Sequence, residues 1–328
     1  MIRIVAALLV VLAGLSLASL ALGDITIPVR ELAFALADPP EASPETRMIL
    51  FELRLPRALL ALLVGMALAV AGTIAQAVMR NALAEPGLLG INAGAALAAT
   101  LLIVALPGAS AALLPWASFA GASTMAAAIY ALSWRGGTSS LRIILIGIGL
   151  SSLAGAATTL LTAFGEIRDV QRALIWLAGS VYDADWLKVQ VLLLWLAGPL
   201  PLAWLGAREL DLVRFGEPAA RGLGQRVDLV RALLILLCTL ISGAVVAAAG
   251  LIGFVGLIAP HLARRLVGPA HAQLIPVAAL IGGALVMAAD LLGRTVIAPA
   301  QLPAGLVTAL IGAPFLGYLL WGRRHVSA

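Results

Sequence analysis

Apolar residues fill this chain in long blocks, and short clusters of Gly, Pro and charged residues separate them. Ten blocks read as helices, roughly 4–22, 57–79, 88–106, 110–133, 141–164, 186–205, 229–249, 252–267, 273–293 and 303–321. Most exceed the ~18 apolar residues that mark a membrane span. The breaks carry Pro86-Gly87, Pro107-Gly108, Gly136-Gly137, Gly206, Gly268-Pro269 and Pro303, residues that lack a helical donor or favour turn conformations. The run "VVAAAGLIGFVGLIAPHLARR" has no such break, but Gly250, Gly253 and Gly256 permit a tight reversal within it. That reversal leaves the eighth helix short for a bilayer core of ~30 Å. The first block has the positive start and small-residue end of a signal peptide. Its apolar run outlasts the ~7–15 residues of a signal core, so a retained first span is expected.

One stretch breaks the pattern. "RELDLVRFGEPAARGLGQRVD", Arg208 to Asp228, holds eight charges in a chain that is 11% charged. It divides at Gly216 and Pro218. "ARELDLVRF" suits two helical turns, closed by Gly216 in a left-handed cap. "PAARGL" suits a second short helix, with Pro218 at its start and Gly224 after its end. Leu210, Val213, Ala219 and Leu223 would give the pair its apolar surface. Two capped helices are more order than a plain connection needs.

Composition turns the pattern into a class. The chain is 62% apolar with a mean hydropathy of +1.08, against ~45–50% apolar in soluble domains. The expected fold is a single all-α polytopic membrane domain over residues 1–328. Net charge is +5, but the basic residues are scattered between apolar runs, which excludes a nucleic-acid face. Thirteen of the 21 Lys and Arg, among them Arg80, Arg135, Arg142 and the arginines of the charged stretch, fall on the side that holds both termini. The positive-inside rule makes that side cytoplasmic. Trp134, Trp204 and Trp321 then sit near inner helix ends, and Trp116 and Trp186 near outer ones, as interfacial anchors.

Candidate chemistry is sparse. The single Cys238 lies in an apolar run, and His261, His271 and His325 have no metal-ligand spacing. No cofactor or metal is expected. Within the blocks, Asp290 and Arg294 can pair at i,i+4. A chain of buried acids and histidines, which a proton- or sodium-coupled carrier would need, is missing from the sequence. So is the nucleophile and base of a membrane enzyme. Energy for uphill movement must come from another subunit.

"LDLVRFGEPAARGLG" resembles the coupling segment of the FecCD-type permeases, the membrane subunits of ABC importers for iron-siderophores, haem and cobalamin. "RLPRALLALLVGMALAVAG", "RNALAEPGLLGINAGAALAA", "GLIGFVGLIAPHLARRLVG" and "ADLLGRTVIAPAQLPAGLVTALIGAPFLGYLL" are similar to further blocks of that family, in the same order. The resemblance implies ten helices per subunit and a dimer of permeases, identical or related. It also implies two cytoplasmic ATPases on the coupling helices and a periplasmic or lipid-anchored binding protein outside, with the permease itself in the bacterial inner (plasma) membrane. It places Gly216, Glu217, Ala220, Arg221, Leu223 and Gly224 at the ATPase contact, with coupling helices over about 207–224. It places Arg57 and Arg294 at the binding-protein contact, and Ser139 and Ser140, in "TSSLR", at a cytoplasmic gate. "WLAGS" is closer to siderophore permeases than to cobalamin ones. A ferric-siderophore is therefore the expected cargo, with cobalamin or haem as the alternative. An ion-coupled secondary transporter is the alternative of another class.

Overall fold

The computed structural model describes residues 1–23, 25–37, 43–106 and 108–323, and all regular structure among them is helical. Pro107, Arg324 and His325 lie outside the described residues. Ten apolar helices organise the chain: α1 (Ile2–Ala21), α2 (Leu55–Val78), α3 (Ile91–Thr100), α4 (Leu114–Ser133) and α5 (Ser140–Phe164), then α6 (Trp186–Leu205), α7 (Val227–Ala249), α8 (Val255–Val267), α9 (His271–Thr295) and α10 (Ala304–Arg323). Eight of them belong to segments long and apolar enough to cross a membrane. The exceptions are α3, which continues as a wider turn to Ala105, and α8. At ~1.5 Å per residue the 13 residues of α8 reach about 20 Å, short of the ~30 Å core. Gly198-Pro199 interrupts α6, because Pro cannot donate to the preceding turn.

Burial separates an interior from a shell. In the most apolar stretches of α2, α7 and α9, 78%, 67% and 67% of residues are buried, against 17–33% in α1, α4, α5, α6 and α10. So α2, α7 and α9 are the core, and the outer helices keep apolar side chains for lipid or another chain. The core is dense because small residues let backbones touch, the usual basis of helix packing in membranes. A Cβ on Gly65 would lie 2.1 Å from the carbonyl oxygen of Gly282, and one on Gly72 would lie 2.0 Å from that of Gly256.

The last contact corrects the expected reversal. Gly256 lies inside α8, pressed against α2. The turn is made instead by Gly250 (φ +70°) and by Phe254 (φ +66°), a left-handed conformation unusual for an aromatic residue. The Phe254 N–H, at the start of α8, donates to Glu85 Oε2 at 3.3 Å. That bond holds α8 three residues later than the pattern predicts.

Three short helices lie outside the apolar pattern: Val29–Ala37, Pro44–Arg47 and Ile167–Leu177. All precede a span at the end of the bundle away from residues 207–224. Their charges interrupt the hydrophobic period, and tertiary bonds hold the first two together. Ser43 caps Pro44–Arg47 by accepting the Thr46 N–H at 3.2 Å, and the Thr46 hydroxyl donates to Glu31.

Candidate functional site

The charged stretch folds as two helices, Ala207–Arg214 and Glu217–Gly222, joined at Gly216. Gly216 has φ +100° and ψ 157°, a region open essentially to glycine alone. Gly224 follows with φ +85°. Pro218 is the second residue of the second helix, not the first. Leu210, Val213 and Ala220 are buried beneath this elbow. Ala219 is exposed, contrary to the expected apolar set, and so is Leu223. A register shift of one residue accounts for the swap: Ala220, not Ala219, faces the bundle.

The elbow is tied down by its own charges. Arg214 donates to the Pro269 carbonyl at 2.8 Å. Asp211 accepts the His271 N–H at 3.1 Å and lies 2.6 Å from His271 Nδ1. The Gln225 amide donates to the carbonyl of Glu209 at 3.0 Å and to its carboxylate. These bonds fix the elbow to α9 and to the short segment that leads from it into α7. The outer surface is then rigid and carries Phe215 (69% exposed), Leu223 (67% exposed) and Arg221. Phe215 was not singled out from sequence. An aromatic residue in a charged loop was the available signal.

Beside the elbow runs the segment that enters α5. Ser139 caps α5 by accepting the Arg142 N–H at 3.3 Å, and the Ser140 hydroxyl donates to the Val78 carbonyl at 2.7 Å, at the end of α2. The Asp228 carboxylate accepts the Thr138 N–H at 3.1 Å. Arg231, fully buried in α7, donates to the Thr138 carbonyl, to the Thr138 hydroxyl at 2.9 Å and to the Glu217 carboxylate at 2.6 Å. Glu217 therefore aims its carboxylate into the protein. Arg221 lies 3.7 Å from Glu217 and 3.5 Å from Asp228, half exposed.

At the opposite end, charges that look isolated in sequence meet. Arg57 grips Asp290 through Nε (3.0 Å to each oxygen) and Nη2 (2.9 Å), while Nη1 donates to Gln301 at 2.9 Å. Arg294 donates to the Ser19 carbonyl at 2.7 Å, and its Nε lies 3.8 Å from Asp290. The Asp290–Arg294 pair expected from i,i+4 spacing is thus secondary. Asp290's main partner is Arg57, 233 residues away, because a guanidinium in fork geometry forms the stronger, better aligned pair. Both arginines are buried. An open cavity of about 850 Å³ adjoins Arg57 and is lined also by Arg172, Trp176, Tyr182, Lys188 and Gln301. Among the described residues no His/Cys/Asp/Glu group has the arrangement of a metal site.

Residues 8–322 match the model of the FecCD transport family. The chain belongs to the FecCD transport family. It is 44% identical to the achromobactin transport system permease protein CbrC of Dickeya dadantii, over 98% of this chain and 92% of that one. It is 40% identical to the iron(3+)-hydroxamate import system permease protein FhuG of Bacillus subtilis, over 85% of each. A solved metal-chelate type ABC transporter in an inward-facing conformation superposes with a TM-score of 0.88 at 31% identity, covering 98% of this chain and all of that one. As a FecCD protein this chain is a helical, membrane-embedded transport subunit. Its elbow, the α5 entry and the opposite-end charges are therefore parts of a transport machine.

Proposed function

We propose that this FecCD protein is the permease subunit of a binding-protein-dependent ABC importer that carries ferric-siderophores. In this reading all ten helices traverse or enter the bilayer and both termini are cytoplasmic. A dimer of permeases forms the path, and two ATPases dock on the elbow. The observation that carries the reading is the elbow itself. It is braced on its inner side by Leu210, Val213 and Ala220 and presents Phe215, Leu223 and Arg221 outward. Aromatic, aliphatic and Arg side chains on a rigid support are what a tight protein contact uses. Gly216, Glu217, Ala220 and Gly224 shape that contact from within. Ser139 and Ser140, capping and anchoring α5, form the gate. A binding protein docks at the opposite end, where Arg57 and Arg294 act as charges already held by the fold. Because both are buried and held by internal partners, they would act by fixing the register of the docked partner and not by steering a distant encounter. The cargo is inferred from the relatives, an iron(3+)-hydroxamate import permease, an achromobactin transport permease and a metal-chelate type transporter.

Uptake should then depend wholly on ATP hydrolysis by a separate subunit. The check is vesicle uptake of a radioiron-labelled ferric hydroxamate by permease and binding protein with either an active or a hydrolysis-dead ATPase. Accumulation is expected only with the active ATPase. Sustained accumulation driven by a pH or sodium gradient, with the dead ATPase, would sink the importer reading in favour of a secondary carrier.

A further inference from the structure

Among the described residues Arg231 is the largest side chain with no solvent exposure, and its contacts join three separate elements. It belongs to α7. Its Nη2 holds Glu217, the first residue of the second elbow helix, at 2.6 Å. Its Nη1 holds both the carbonyl and the hydroxyl of Thr138, the residue just before the Ser139 cap of α5. From the same helix, Asp228 takes the Thr138 N–H at 3.1 Å, and the Tyr130 hydroxyl of α4 donates to the Asp228 carbonyl at 3.3 Å. The entry to α5 is therefore clamped to α7 at all three polar groups of Thr138. The elbow is bonded to the same guanidinium.

Charge-assisted bonds of this kind are stronger than neutral ones, and burial strengthens them further by excluding screening water. A displacement of Glu217 must then either break a buried ionic bond or pull the guanidinium with it. The guanidinium cannot turn without releasing Thr138, because one planar group serves both acceptors. Arg231 Nε is buried without a hydrogen-bond partner. A fully satisfied guanidinium would be locked, whereas this one has an unused donor with which to form a second arrangement.

We propose that Arg231 is the positioning residue that couples the elbow to the α5 entry, so that a movement imposed on Glu217 is delivered to Thr138 and from there to Ser139 and Ser140. This rests on the importer reading of the elbow. It adds which side chain carries the motion, and that the link is a bidentate buried arginine and not general packing.

The test uses the assembled importer, permease with its ATPase and binding protein in lipid vesicles. A cysteine replaces Leu141, which is exposed at the start of α5, and the buried Cys238 is retained. The rate of modification by a charged maleimide is measured without nucleotide and with ATP plus vanadate. The unsubstituted background should show a nucleotide-dependent difference in rate. Arg231→Met should lose that difference while the ATPase still co-purifies. Arg231→Lys keeps the charge but cannot serve Glu217 and Thr138 as a fork. It should lose most of the difference while the folded permease still binds the ATPase, a separation that a purely structural role would not produce. A full nucleotide response in the Lys variant overturns the proposal, whatever the folding of the Met variant. If the background itself shows no response and binds no ATPase, the importer reading fails and the coupling role fails with it. A normal background response with an equally normal response in both variants defeats the coupling role alone.

Discussion

Replacing Gly216 with Val is expected to detach the ATPase from the permease and to abolish transport-coupled ATP hydrolysis. The position has φ +100° and ψ 157°, and a β-branched residue held there carries strain of about 1–3 kcal/mol. Its Cβ would also stand 3.4 Å from an Arg80 guanidinium nitrogen. Relaxing that strain turns the second elbow helix away from the first. Phe215 and Leu223 would then no longer present one surface, and the Glu217–Arg231 bond would be pulled. Gly224→Val, at φ +85°, should act the same way with a smaller effect, since no atom crowds its Cβ. Gly222→Ala is the control. Gly222 lies within the helix, has no positive φ and has open space where a Cβ would go, so coupling should be unchanged. Co-purification of the ATPase and its hydrolysis rate decide the matter. Normal coupling in both Val variants would show that elbow geometry is not what the ATPase reads.

The second large effect is expected at Asp290. Its carboxylate is buried and is the acceptor for three of Arg57's donor contacts. Asp290→Ala leaves Arg57 charged, buried and without its main acceptor. Loss of one partner of a buried ion pair typically costs about 3–5 kcal/mol. The thermal midpoint of the detergent-solubilised permease should fall accordingly. The partner's removal should then restore much of the loss, because a buried pair replaced by apolar residues of similar volume is often close to neutral. Arg57→Met combined with Asp290→Leu is therefore expected to be more stable than Asp290→Ala alone. Independent, additive effects of the two sites would refute the pair as the organising contact of this end. The same geometry sets what charge reversal at Arg57 would measure. It would remove the internal partner of Asp290 before it altered any docking surface, so stability must be read alongside docking.

Much of this protein is legible in one dimension. Runs of apolar residues longer than a bilayer is thick, punctuated by Gly and Pro, specify a helical membrane protein. The period needs no tertiary information, because every backbone group in lipid must be satisfied within its own segment. The elbow was visible for the same local reason: Gly216, Pro218 and Gly224 are conformational instructions read by the backbone alone. Family membership was legible from blocks of residues in order.

Other features were decided only when the helices packed. Ala220 replaced Ala219 on the buried face of the elbow because the bundle sets which side of a short amphipathic helix faces inward. Phe254, not Gly253, took the left-handed turn before α8, since Gly256 was already committed to the contact with α2 and the Phe254 N–H to Glu85. The charge networks were the least legible. Asp290 pairs with Arg57 across 233 residues, and Arg231 joins Glu217, 14 residues before it, to Thr138, 93 residues before it. A sequence shows a buried charge only as an oddity in an apolar run. Which partner makes its burial tolerable is a property of distance in space, and distance in space exists only after the chain has folded.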